Sequence, residues 1–204
     1  MSKKIIIPNG FVYVCGTEST GLVVQSANGN QFVWIPGGKT RENGYCDGFY
    51  FSRFDISMEN ESTYVSKPNR YPIVDIDFYE AVEISKKLGA NMVSDKQFER
   101  ILSWLLETKF MTEYQIYEDS SEFGNYKNVG PHRMVKTNSN PKWMCNNIDN
   151  LAGNLWTWTS TGDENSRILR GGCCMLEGDY APLARKCRSY LKGSRFYTGL
   201  RVVL

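Results

Sequence analysis

The sequence predicts an α+β domain with little regular secondary structure, in which two helices pack on short antiparallel strands. Three observations support this. The chain carries 18 glycines and 12 tyrosines among 204 residues, with many Asn and Ser clusters, the make-up of a loop-rich fold. Short β-branched and aromatic runs alternate with turn signals through the first third. Only two segments combine helical periodicity with marked starts or stops. At 204 residues and 41% hydrophobic, the chain suits one well-buried domain and is too short for two generous ones.

Strands are predicted over Ile5 to Ile7, Phe11 to Cys15, Leu22 to Gln25 and Gln31 to Ile35. Pro8-Asn9-Gly10 and Asn28-Gly29 separate them, the latter as a hairpin turn. Residues 1–30 are thus expected to form an N-terminal β-hairpin extension. Pro36-Gly37-Gly38 closes this region, and Phe49 to Ile56 alternates aromatic and polar residues like a further strand. A first helix starts near Asp77, sets Phe78, Ala81, Val82, Ser85 and Leu88 on one face, and stops at Gly89. A second starts at Ser94, where Gln97 completes a capping box and Val93 and Phe98 have the spacing of a hydrophobic staple. Residues 107–150 lack periodicity and are read as a long ordered excursion anchored by Tyr114, Tyr117, Phe123, Tyr126 and Trp143. Strand-like runs follow at Leu155 to Thr159, Arg167 to Arg170, Leu183 to Cys187 and Leu200 to Leu204.

The net charge of +2 gives no global electrostatic case for nucleic acid or a membrane surface. From Asn165 onward eight Lys or Arg face only Glu177 and Asp179, which reads as a solvated basic face. The six cysteines form no CxxC pair and His132 is the one histidine, so a Cys/His zinc site is not expected and free thiols are. The start Met-Ser-Lys-Lys-Ile-Ile-Ile-Pro has an apolar run too short for a secretory signal. The product is expected to be made in the cytoplasm, with a virion or surface assembly as its route outside. No Gly-rich phosphate loop or serine-nucleophile elbow is present.

Several segments occur in the order of a known family. Phe32-Val33-Trp34-Ile35-Pro36-Gly37-Gly38 is similar to the opening of the formylglycine-generating-enzyme family, and Phe51 to Ser57 to its next strand. Pro72 to Ala81 and Met92 to Glu99 stand where that family begins its two helices. Leu151-Ala152-Gly153-Asn154-Leu155-Trp156-Thr157-Trp158 resembles its Gly-Asn-Val-Trp-Glu-Trp segment. Arg170-Gly171-Gly172 and Gly199-Leu200-Arg201-Val202 match its ending. The resemblance covers residues 31–204 and implies the C-type-lectin-like fold of the formylglycine-generating-enzyme type.

Catalysis does not carry over with it. The family's two copper-binding thiols lie six and eleven residues after the Arg of Arg-Gly-Gly, and those positions hold Leu176 and Ala181. Without the sulfurs there is neither nucleophile nor soft metal ligand. At the family's calcium position Asn150 and the carbonyls of Gly153 and Leu155 are retained, but Thr157 replaces the charged Glu that hard Ca²⁺ favours. No cofactor or metal is expected.

The C-terminal segment more narrowly resembles the variable proteins of diversity-generating retroelements. A regular frame (Arg170-Gly171-Gly172, Ala181 to Arg185, Gly199 to Leu204) alternates with chemically mixed runs. Residues 172–204 are expected to form a variable ligand-binding region, with Cys173, Cys174, Leu176, Asp179, Tyr180, Arg188, Ser189, Tyr190, Arg195 and Tyr197 on one exposed face. Met175, Glu177, Lys186 and Lys192 cannot derive from a mutated Asn codon and are expected to be constant. Tyr and Arg suit recognition, because rigid aromatics supply area and guanidinium supplies directed hydrogen bonds. The expected partner is a protein or surface ligand, without nucleic acid or membrane insertion. The alternatives are a scaffold or capping domain of a phage or surface assembly, and an enzyme of the family with a rearranged site.

Overall fold

Neighbouring residues of an extended strand point to opposite faces, and here that alternation divides the core in two. A computed structural model describes residues 5–42, 44–193 and 197–204. Its main sheet has six antiparallel strands in the order Phe11–Cys15, Val23–Ser26, Gln31–Ile35, Phe49–Ser52, Val202–Val203, Asn91–Met92. Val33 pairs with Val23 on one side and Phe51 on the other, placing all three on one face. Val24 and Phe32 pair on the opposite face. The first face packs with Phe98, Ile101, Leu102 and Leu105 of the second helix, and the second with Phe78, Ala81 and Ile84 of the first. The last strand therefore lies inside the sheet, between strands from earlier in the chain.

The helices begin where the sequence places them. Helix α1 spans Phe78–Lys87, with Asp77 accepting from the Glu80 N–H and Glu80 reaching back to the Asp77 N–H. Helix α2 spans Asp95–Glu107 with the reciprocal Ser94 and Gln97 pair. Each box satisfies donors that a helix start leaves unpaired. The fully buried Arg100 of α2 donates to the carbonyls of Pro36 and Lys39, and a Cβ at Gly38 would sit 2.5 Å from its guanidinium carbon. The Pro-Gly-Gly turn is the space this arginine needs.

A second sheet carries the C-terminal half, in the order Cys187–Tyr190, Ser166–Arg170, Trp156–Gly162, Thr198–Gly199. Trp156 and Trp158 are both buried in the core beneath α1, and the Trp158 indole donates to the Ile76 carbonyl at 3.1 Å.

Several strand expectations need correction. Ile5 to Ile7 forms no strand, and the strand from Phe49 stops at Ser52, where Arg53 and Phe54 turn the chain toward the Ser66 hydroxyl. The Asn28-Gly29 hairpin exists, with Gly29 at φ 85°, but it is continuous with the main sheet. The expected strand at Leu183 to Cys187 lies later, at Cys187–Tyr190, because Leu183 and Ala184 bond to the excursion: the Leu183 N–H to Ser120 Oγ and the Ala184 N–H to the Ile116 carbonyl. The excursion itself contains a short helix α3, Glu113–Tyr117, with its own capping box.

Candidate ligand-recognition site

Two arginines of the resemblance motifs hold the C-terminal segment from beneath. Arg170 is fully buried and spreads its donors over three acceptors: Asp95 Oδ1 at 2.6 Å, the Ala184 carbonyl at 2.6 Å, and Glu99 Oε1. Such a fan uses the fixed fork of a guanidinium, which an ammonium lacks. Gly171 and Gly172 follow at φ 96° and 77°, and a Cβ at Gly172 would meet the Ala181 carbonyl at 2.5 Å. Arg201, also buried, pairs with Asp55 at 2.9 Å and donates to the carbonyls of Ser52, Arg53, Asp149 and Asn150. Burial pushes the Asp55 carboxyl up while Arg201 pulls it down. The basic excess of this segment is thus not all a solvated face, since Arg170 and Arg201 are internal.

The polar excursion supports the segment from the side. Ser120 Oγ donates to the Gln115 carbonyl and accepts from the Leu183 N–H, while the Ser120 N–H donates to the Gly178 carbonyl. Gly178 abuts Ser121 so closely that a Cβ there would lie 2.4 Å from its Oγ. The Lys127 N–H donates to the Leu176 carbonyl at 2.9 Å.

On this support the ten expected site residues separate. Asp179 and Tyr180 are exposed on the turn after Gly178. Arg188 and Tyr190 alternate outward on the edge strand Cys187–Tyr190, with Tyr190 72% exposed. Arg188 donates to Asp163 Oδ2 at 2.5 Å and Ser166 Oγ at 3.1 Å. Asp163 sits at about 2, held down first by the Asn165 N–H and then by the Ser166 hydroxyl and N–H, with Arg188 adding to them. Leu176 and Tyr197 are half-buried and pack on the core beneath α1. Tyr197 is at φ 71°, and its carbonyl accepts from the Trp156 N–H. Arg195 lies outside the described residues.

Three of the ten are corrected. Cys173, Cys174 and Ser189 are buried at 4%, 0% and 2% exposure, so no single face displays all ten. The Arg-Gly-Gly turn drives the chain inward, and the Cys174 N–H bonds to the Asn154 carbonyl deep in the fold. Ser189 takes the inward position between two outward neighbours. Burial pushes the Cys174 thiol up to about 12 and raises Cys173 as well. A thiol so placed is inert as a nucleophile.

Sequence reasoning missed the part of the surface that comes from elsewhere in the chain. Asp179, Tyr180 and Lys186 border a basin of about 470 Å³ whose other walls include Glu42, Glu99 and Tyr117. Lys186 bridges to Glu42, to Asp95 at 3.2 Å and to Glu99 at 3.9 Å. Burial lowers its affinity for a proton, but Glu42 and Asp95 outweigh that and raise the pKa above the ordinary value. A second, apolar groove of about 820 Å³ runs along α1 between Tyr64, Tyr71 and Tyr79.

The copper positions of the family do not fit the metal. Leu176 is half-buried against apolar side chains and Ala181 is buried, so neither supplies a donor. At the calcium position Thr157 is buried and neutral, which leaves Asn150 and carbonyls as an uncharged set.

A six-stranded antiparallel sheet, a four-stranded mixed sheet, two core helices and a long irregular excursion define the C-type-lectin-like fold of the formylglycine-generating-enzyme type. No family model matches the sequence, and no curated protein matches it. Solved structures do. PvdO from Pseudomonas aeruginosa is similar with a TM-score of 0.60 at 12% identity, over 89% of this chain and 97% of that one. Treponema denticola variable protein 1 is similar at 0.59 and 12%, over 97% and 99%. The M1 variant of the Major Tropism Determinant is similar at 0.57 and 13%, over 85% of this chain and 62% of that one.

Proposed function

We propose that this chain is a non-catalytic binding protein that displays a variable C-terminal surface to a protein or cell-surface ligand, in the manner of diversity-generating-retroelement variable proteins. The carrying observation is the separation of frame from face. Arg170, Gly171, Gly172 and Arg201 are buried, the two arginines each bonded to several internal acceptors, whereas Asp179, Tyr180, Arg188 and Tyr190 are exposed on the same segment. Exposed substitutions usually change stability by only about 0.5 kcal/mol, so such a surface can vary without unfolding the protein. The likeness to a variable protein and a tropism determinant supports this reading. Leu176 and Ala181 argue against oxidase chemistry.

Sequencing the 3′ end of the gene across a natural population tests it. Substitutions should concentrate at the exposed positions and spare the four frame residues. Changes spread evenly over the gene would refute the variable-surface reading, and copper-dependent oxidation of a cysteine peptide would refute the non-catalytic one.

One observation favours a second role in assembly. The outermost strand Phe11–Cys15 exposes Val12, Tyr13 and Val14, an apolar sheet edge of the kind proteins usually protect. Sedimentation of the purified protein against a Val12→Lys, Val14→Lys variant tests it. A purely monomeric wild type would remove this reading.

A further inference from the structure

We propose that the basin beside the C-terminal turn receives an arginine side chain of the protein ligand. The inference rests on the binding role proposed above. Four carboxylates border the basin, Glu42, Glu99, Glu118 and Asp179, against the cations Arg185 and Lys186. Lys186 is already committed to Glu42 and Asp95. Glu118 and Asp179 form no ion pair among the described residues.

The Glu99 side of the basin carries an independent indication. Glu99 is 2% exposed and binds Arg170 through Oε1, yet its Oε2 has no hydrogen-bond partner among the described residues. An ionised carboxylate oxygen only accepts, so the group that completes it must donate. Buried polar atoms left unpaired are uncommon, and a ligand group is one of the things that satisfies them.

Guanidinium fits these surroundings better than ammonium. Its planar fork meets carboxylates with paired donors and stacks on aromatic rings. Tyr180 stands 66% exposed at the rim and is free to stack on such a group, whereas the Tyr117 ring is already covered by the chain's own Arg41 at 4.3 Å. Glu42, Glu99, Tyr117 and Glu118 come from outside the C-terminal segment.

The test uses the capped peptide acetyl-Gly-Arg-Gly-amide, its citrulline analogue, which keeps the shape but loses the charge, and its lysine analogue, titrated at low salt by NMR. The arginine peptide should shift the Glu99, Tyr117 and Tyr180 signals. Citrulline should bind roughly tenfold more weakly, the loss of about one charge-assisted contact, and lysine should fall between. The Glu118→Gln, Asp179→Asn double variant should weaken arginine binding about tenfold or more with an unchanged melting temperature. Equal binding of arginine and citrulline, no shift of the basin signals, or full affinity in the double variant would each overturn the proposal. Those failures leave the binding role standing if the protein still labels cells through its exposed C-terminal residues, because that readout does not use the peptides.

Discussion

Replacing Trp158 with alanine removes the more deeply buried of the two tryptophans of the second sheet. Trp158 is fully buried, packs edge-on against Phe78 at a centroid distance of 6.1 Å, and donates to the Ile76 carbonyl. Deleting a buried Trp costs about 3–5 kcal/mol, from lost transfer energy and the cavity left behind. The unpaired Ile76 carbonyl moves the value toward the upper end, since losing one partner of a buried hydrogen bond costs about 1–3 kcal/mol. For a chain of this size roughly 2–4 °C accompanies each kcal/mol, so Trp158→Ala should melt about 6–20 °C below wild type. Tyr190→Ala, at an exposed edge position, should stay within about 0.5 kcal/mol. Urea titrations followed by far-ultraviolet circular dichroism, with equal slopes for both variants, measure the difference directly. If Tyr190→Ala proved the more destabilising, the assignment of core and surface on the second sheet would be wrong.

Other consequences are equally direct. Asp149 is buried, and that burial raises its pKa to about 7 against the restraint of the Asn138 N–H and Arg201. Because the folded value lies above the unfolded one near 3.9, its stabilising contribution is full below about pH 4 and lost as pH rises to about 7. A shift this large corresponds to something on the order of 4 kcal/mol. Asp149→Asn should flatten that part of the stability profile, and an unchanged slope between pH 4 and 7 would refute the assignment. Arg170→Met leaves the buried Asp95 and Glu99 with only the partly exposed Lys186 as a counter-charge and should cost about 3–5 kcal/mol, with Arg170→Lys recovering only part because it cannot reach three acceptors. Alkylation at pH 8 should spare Cys173 and Cys174 in the native protein and modify both in urea. Rapid native labelling of either would contradict their burial.

What the sequence discloses follows the range of the interactions involved. Both long helices were legible because their signals are local: the capping box of Ser94 and Gln97 for the second, and the apolar spacing from Phe78 to Leu88 with the Gly89 stop for the first. The ladder from Val23 to Phe51 was legible in outline because alternation is local too. The roles of Arg100, Arg170 and Arg201 were not, because each reaches acceptors 50 or more residues away in the chain. In the sequence Arg170 and Arg201 read as surface charge.

The candidate site shows the same division. Arg188 and Tyr190 were placed on the surface correctly, and the alternation of Cys187-Arg188-Ser189-Tyr190 contains the signal that would have turned Ser189 inward. Cys173 and Cys174 lie in an irregular turn without periodicity, so only the fold itself could show that both are buried. The basin behind Asp179 was invisible because Glu42, Glu99 and Glu118 reach it from three separate parts of the chain.

The most direct test of the account compares folding with recognition in one protein carrying Asp179→Ala, Tyr180→Ala, Arg188→Ala and Tyr190→Ala together. The Arg188 contact with Asp163 is exposed and contributes little to stability. Fluorescently labelled wild-type and variant proteins would be applied to a panel of intact prokaryotic cells, with melting temperatures measured in parallel. The account predicts a melting temperature within a few degrees of wild type and loss or redirection of cell binding, since a few aromatic and Arg anchors usually carry most of the affinity. A variant that unfolds, or one that binds the same cells as tightly as wild type, would contradict it.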